Sequence, residues 1–230
     1  MGITILPNFF TRTCLTALGG LAACALLLGT VNPANARGIS LIRDAEIEHN
    51  IHQIAAPLFA AAGLDASAVR IHLVNDRALN AFVAGGQRIF INTGLLLTVE
   101  NASEISGVIA HETGHISGGH LARTHDAIRD ASAASILSTV LGAAVALGGQ
   151  GRAGSAIIAG GQTVAQRNFL KYTRTQESAA DQAAVKFLAA VDMTAEGLYV
   201  FLDRIGDQEA LTRSRQDPYV RSHPLTWDRL

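Results

Sequence analysis

Two histidines and a glutamate fix the local geometry of one stretch of this chain. His111-Glu112-Thr113-Gly114-His115 reads His-Glu-x-x-His. At about 100° per residue, helix positions four apart return to nearly the same face one turn along. A helix therefore lets both imidazoles grip one ion, with Glu112 at the edge of that face. Zinc accepts imidazole nitrogens, and a catalytic site leaves one coordination position for water. The metal acidifies that water and the adjacent carboxylate takes its proton. The pattern predicts a helix and carries the groups needed to hydrolyse a peptide bond.

The flanking residues support a helix. Asn101 is placed to cap it, with Glu104 three residues later as the partner of a capping box. Ile105, Val108, Ile109 and Ile116 recur at helical spacing, which predicts a half-buried face. Gly107 and Gly114 each weaken the helix by about 1 kcal/mol but permit close backbone packing. Upstream, residues 39–62 read as a helix ending at Gly63. Residues 69–74 read as a strand, and 81–83 with 88–91 as a hairpin turning at Gly85-Gly86. The expected class is α+β, mainly helical, with a small sheet beside the motif helix.

Residues 131–147 are almost wholly apolar and small. The run is short for a membrane span, rich in Ala, Ser and Gly, and lacks interfacial aromatics. Gly148-Gly149-Gln150-Gly151-Arg152 breaks it, and residues 153–170 resume in similar style. The reading is a hairpin of two small-residue helices packed against the protein.

The N-terminal stretch reads as a leader. Residues 1–36 hold no acidic residue and one basic residue, Arg12, then an apolar run over 15–31 and Ala34-Asn35-Ala36. That is the layout of a secretory signal peptide with a small-x-small cleavage site. Soluble export is the expectation; the alternative is a lipoprotein anchored through Cys24, which ends Leu21-Ala22-Ala23-Cys24. Both cysteines, Cys14 and Cys24, lie in this segment, so no disulfide is expected in the mature chain. Of the 18 basic and 19 acidic side chains, 17 and 19 belong to residues 37–230, a net charge of −2. Bulk electrostatics give no sign of nucleic-acid binding. Residues 37–230 suffice for one domain. Their end, from His223-Pro224 to Leu230, reads as the entry to a helix, and a downstream region missing from the sequence is the expectation.

A catalytic zinc needs a third protein ligand. The extended pattern His-Glu-x-x-His-x-x-Gly-x-x-His fails on register: Gly118 fits, but Leu121 stands where the histidine belongs. His120 and His125 are read as supporting or structural residues of the helix end. Glu177-Ser178-Ala179-Ala180-Asp181 offers a better candidate. Glu177 supplies a carboxylate for a His₂Glu site, and Asp181, four residues on, accepts a hydrogen bond from the outer nitrogen of a ligand histidine. A purely structural zinc is disfavoured, because such sites are usually closed and rich in cysteine.

The ordered set His-Glu-x-Gly-His, Glu-Ser-x-Ala-Asp, then Ser222-His223-Pro224 with Arg229 resembles the CAAX-endopeptidase/HtpX-type zinc metallopeptidases, which are gluzincins. The leader makes the chain most similar to their BepA-like periplasmic branch. Asn80-Ala81-Phe82 to Asn92-Thr93-Gly94 also resembles the family segment before the zinc helix. The resemblance implies a zincin-like metallopeptidase domain holding one Zn²⁺ on His111, His115 and Glu177, with Glu112 as general base and Asp181 behind the ligands. It implies that His223 approaches the metal, either stabilising the oxyanion or occupying the water site in a resting state; the alternative is a turn residue before Pro224. Arg229 is implied to hold an acidic group or assist the same intermediate. The strand at 89–91 is implied to pair with extended substrate. The substrates implied are misfolded or misassembled envelope and outer-membrane proteins, with the outer-membrane assembly machinery as partner. Periplasmic members often add a C-terminal tetratricopeptide-repeat domain; no repeat of that period occurs here. The alternative function is a chaperone-like assembly factor with little proteolysis.

Overall fold

The computed structural model describes residues 39–206, 208, 211–212 and 214–224. The leader and Arg229 lie outside the described residues.

The elements run β1 (Leu41–Ile42), α1 (Ala45–Ala61), β2 (Arg70–Val74), β3 (Ala81–Ala84), β4 (Arg88–Asn92), α2 (Thr93–Thr98), α3 (Ala102–Ser117), α4 (His120–Leu147), α5 (Gly151–Ala190), α6 (Glu196–Gly206) and α7 (Pro218–Ser222). The chain is mainly helical with one small mixed sheet, as its pattern predicts. The first helix starts later than expected: Asp44 caps it, its carboxylate accepting from the backbone N–H groups of Glu46 and Ile47. Ahead of that cap, Leu41 and Ile42 pair instead with Val74 and Leu73.

The sheet order is β1-β2-β4-β3. β4 pairs parallel with β2, Ile89 facing Ile71, and antiparallel with β3, Ile89 facing Val83. This corrects the expectation for residues 89–91: an internal strand has no ladder edge left for substrate, and β3 is the outer strand. Ile71, Leu73, Ile89 and Ile91 join Leu58 and Phe59 of α1, Val108 and Ile109 of α3 and Phe201 of α6 in one apolar core.

The motif helix α3 is more enclosed than a half-buried helix. Residues 104–114 are buried without interruption, because α1, α5, α6 and β3 surround them. Two glycines make this enclosure fit. A methyl on Gly107 would sit 2.7 Å from the Leu198 backbone of α6, and one on Gly114 would sit 2.8 Å from the Ala180 carbonyl oxygen of α5. Asn101 caps α3, its Oδ1 accepting from the N–H groups of Ser103 and Glu104. The return arm of the capping box is replaced: Glu104, fully buried, takes two hydrogen bonds from Arg204 of α6 at 2.7 and 3.1 Å.

The small-residue runs form a helical hairpin, α4 and the first half of α5, packed together through Gly142 and Gly154. It is not covered by the rest of the protein as expected. Ile136, Leu137, Val140, Leu141 and Leu147 of α4 are exposed, as are Ile157 and Val164 of α5. Beyond the hairpin, α5 continues without a break along α3, and this half carries Glu177 and Asp181.

Candidate active site

Three elements converge on one point. His111 and His115 stand one turn apart on α3, their ring centroids 4.7 Å apart. The close approach at Gly114 and Ala180 presses α5 onto this face and brings in Glu177 and Asp181. The third element, α7, begins at Asp217-Pro218, with proline at a position where a helix has no use for its N–H. It ends at His223, whose ring lies 4.7 Å from that of Tyr219.

Nε2 of His111 lies 3.0 Å from Nε2 of His115, 3.3 Å from Nδ1 of His223 and 3.3 Å from Oε2 of Glu177. Glu177 is also 3.5 Å from His115 Nε2 and 3.1 Å from His223 Nδ1. One donor atom from each of the four residues lies within 4.8 Å of all the others. With bonds of about 2.0–2.1 Å, neighbouring ligands of a tetrahedral ion stand about 3.4 Å apart. These separations fit a single small metal ion.

The outer nitrogens are held in a way that leaves the inner ones as donors to such an ion. Asp181 Oδ1 lies 2.8 Å from His111 Nδ1 and accepts its N–H. His120 Nδ1 lies 2.9 Å from His115 Nδ1, so a hydrogen bond occupies the far side of that ring too. His223 Nε2 lies 3.2 Å from the Ala81 carbonyl of β3 and donates to it. Each ring thus turns a lone pair inward, the usual role of the partners behind metal-binding histidines.

The electrostatics agree with the geometry. Burial opposes charge on His111, but hydrogen bonds to Asp181 and Glu177 outweigh it and push its pKa up to about 9. In the metal-free chain a proton on this ring binds the facing acceptors together, as a cation would. Burial likewise opposes ionisation of Glu177, and His223, His111 and His115 outweigh it, holding that carboxyl well below the ordinary range. His223 follows His111 upward, with burial overcome by Glu177 and Glu112. Burial lowers His115, and burial together with His115 pushes His120 down to about 4.

Glu112 is fully buried, and neither carboxylate oxygen has a hydrogen-bond partner among the described residues. Its Oε1 lies 3.4 Å from His223 Nε2. A carboxylate removed from water without partners is costly; a cation and a polarised water beside it would answer that cost. Glu112 lines a cleft of about 320 Å³ with His115, His223, Phe82 and Val83 of β3, and Phe169 and Tyr172 of α5.

The residues picked out from spacing, His111, Glu112, His115, Glu177 and Asp181, all come together here, and His223 joins the donor set. His125 is exposed. The Ala81 carbonyl and Tyr219, which hold His223 in place, escape sequence reasoning because a backbone acceptor and one aromatic in a short helix leave no pattern.

The chain is 27% identical to the beta-barrel assembly-enhancing protease of Yersinia pestis over 190 residues, and 27% identical to that of Escherichia coli strain K12 over 192. Each alignment covers 83% of this chain and 39% of the relative, so the chain spans well under half the length of these relatives. A shorter match, 34% over 77 residues, covers 32% of this chain and 25% of a protein named protease HtpX homolog from Streptococcus mutans. The profile of peptidase family M48 matches residues 43–230, the four-residue donor set and Glu112 among them, and the chain belongs to that family.

Proposed function

We propose that residues 37–230 form a zinc-dependent endopeptidase domain, exported to the periplasm by a signal peptide at 1–36, that hydrolyses misfolded or misassembled envelope and outer-membrane proteins. The observation that carries this reading is the convergence of His111, His115 and Glu177 beside a buried Glu112 that has no hydrogen-bond partner among the described residues. The names of the relatives support a role alongside the outer-membrane assembly machinery. Cys24 keeps the lipoprotein form open as the alternative mode of export.

A zinc ion on His111, His115 and Glu177 would activate a water and polarise the scissile carbonyl. Glu112 accepts the proton of the attacking water and returns it to the leaving amine. Asp181 fixes the His111 ring, and His120 backs His115. An extended substrate adds to β3, the outer strand whose Phe82 and Val83 line the cleft. In its protonated form, which Glu177 and Glu112 favour, His223 keeps Nε2–H on the Ala81 carbonyl and donates from Nδ1 to the developing oxyanion. Arg229 assists it or holds an acidic group nearby.

A second reading rests on one specific observation: Nδ1 of His223 is as close to His111 as Glu177 is. As a fourth protein ligand His223 closes the site, giving a gated protease or a chaperone-like factor that cleaves rarely. Cleavage of unfolded casein by the parent and by His223→Ala separates the readings. Turnover by the parent supports the open site with His223 as a helper, and turnover only after the substitution supports the gate. No cleavage by either, with client binding intact, favours the chaperone and contradicts the peptidase.

A further inference from the structure

We infer that the hairpin of α4 and α5 docks on a lipid bilayer through the outer face of α4. From residue 131 to 151 the chain carries no charged side chain, and α4 has the length and composition of a membrane-crossing helix while almost none of its apolar stretch is buried. It buries Ser138 and Gly142 against α5. Ile136, Val140 and Leu147 project from the opposite side at about 100° per residue, and are 64%, 60% and 90% exposed. Leu137 and Leu141 widen the same surface.

Three features point to acyl chains in preference to a protein partner. Protein interfaces carry a polar rim, whereas over about 25 Å of helix this surface is edged by the small hydroxyls of Ser132 and Thr139 and by no charged side chain of α4. Three hydroxyls of the hairpin are already satisfied within their own helices, as lipid favours: Ser138 and Thr139 donate to the Ser135 carbonyl, and on α5 Thr163 donates to that of Ala159. Charge returns where the hairpin meets the domain. Arg123, Arg129, Arg167, Lys171 and Arg174 stand there against Asp126 and Asp130, an excess of cations suited to anionic headgroups. Arg152, Gln162 and Gln166 on α5 remain at headgroup level while α4 faces the hydrocarbon.

The test places a tryptophan reporter in the full chain after Trp227→Phe removes the natural one. Val140→Trp reports on the docking face. Val185→Trp, on α5 at a 48% exposed site away from the hairpin, is the control and shares any membrane binding by the N-terminal apolar run. Vesicles of phosphatidylethanolamine and phosphatidylglycerol with brominated acyl chains are added to each. Quenching at 140 at least about threefold stronger than at 185 is expected for an interfacial helix. Equal quenching, or none at 140, overturns the inference. A blue shift at 140 that grows with protein concentration without lipid, and no quenching with it, assigns the face to a second copy and also overturns it.

Discussion

Gly114→Ala probes how the site is assembled, because Gly114 is where α5 is pressed onto the motif helix. The added methyl would lie 2.8 Å from the Ala180 carbonyl oxygen and 3.0 Å from its Cα, whereas ordinary contact begins near 3.4 Å. Both obstacles are backbone, so α5 must move by about 0.6 Å. Overpacking of this kind costs about 1–3 kcal/mol, and better helix propensity returns about 1 kcal/mol. Net destabilisation is therefore only about 0–2 kcal/mol. Metal binding is the sharper readout. Asp181 is next to Ala180 and Glu177 is one turn before it, so both carboxylates move with α5, while metal sites tolerate about 0.2 Å. Zinc affinity is expected to fall about 10–100-fold, the usual result of disturbing the groups behind a ligand. Gly160→Ala is the contrast: nothing lies within 4 Å of its added methyl, so it stabilises by about 0.5–1 kcal/mol and leaves zinc affinity unchanged. Competition against a chromophoric chelator and urea unfolding measure both quantities. Parent-like zinc affinity in Gly114→Ala would refute the claim that this contact sets the ligands.

Asp181→Ala should lower zinc affinity by about 10–100-fold with the fold intact, read by the same competition and by circular dichroism. Glu177→Ala, which removes a proposed ligand itself, should lose more. His111 in the metal-free chain titrates near 9, above the ordinary histidine value of about 6.5. Its protonation therefore stabilises the metal-free fold fully below about pH 6.5, and that contribution disappears as pH rises through 9. Zinc must displace the same proton, so affinity rises over this window; urea midpoints and chelator competition from pH 6 to 9 should move in opposite directions. Arg204→Leu leaves the buried Glu104 carboxylate without its cation and should lower the unfolding midpoint clearly more than substituting Arg129, whose pair with Asp126 is exposed.

What could be read from the sequence was what helix geometry encodes locally. His111 and His115, like Glu177 and Asp181, are four apart, and that spacing alone puts each pair on one face. The register of Leu121 excluded a third histidine at that position for the same reason. Contacts over long separations were not legible. Glu104 meets Arg204 100 residues away, which takes over the return arm of the expected capping box. His223 meets the Ala81 carbonyl 142 residues away. Apolar periodicity also does not reveal what covers a helix: α3 proved enclosed on all sides, while the more apolar α4 is left bare. The strand at 89–91 had the right composition for a substrate edge, but β2 and β3 take both of its sides.

The central claim is that Glu112 acts as a base beside a zinc held by other residues. Metal analysis by mass spectrometry, run beside casein hydrolysis under conditions where the parent is active, tests it on one substitution, Glu112→Gln. The account predicts one zinc per chain in both proteins and hydrolysis in the parent alone. Equal hydrolysis by Glu112→Gln, or loss of zinc together with activity, would contradict it.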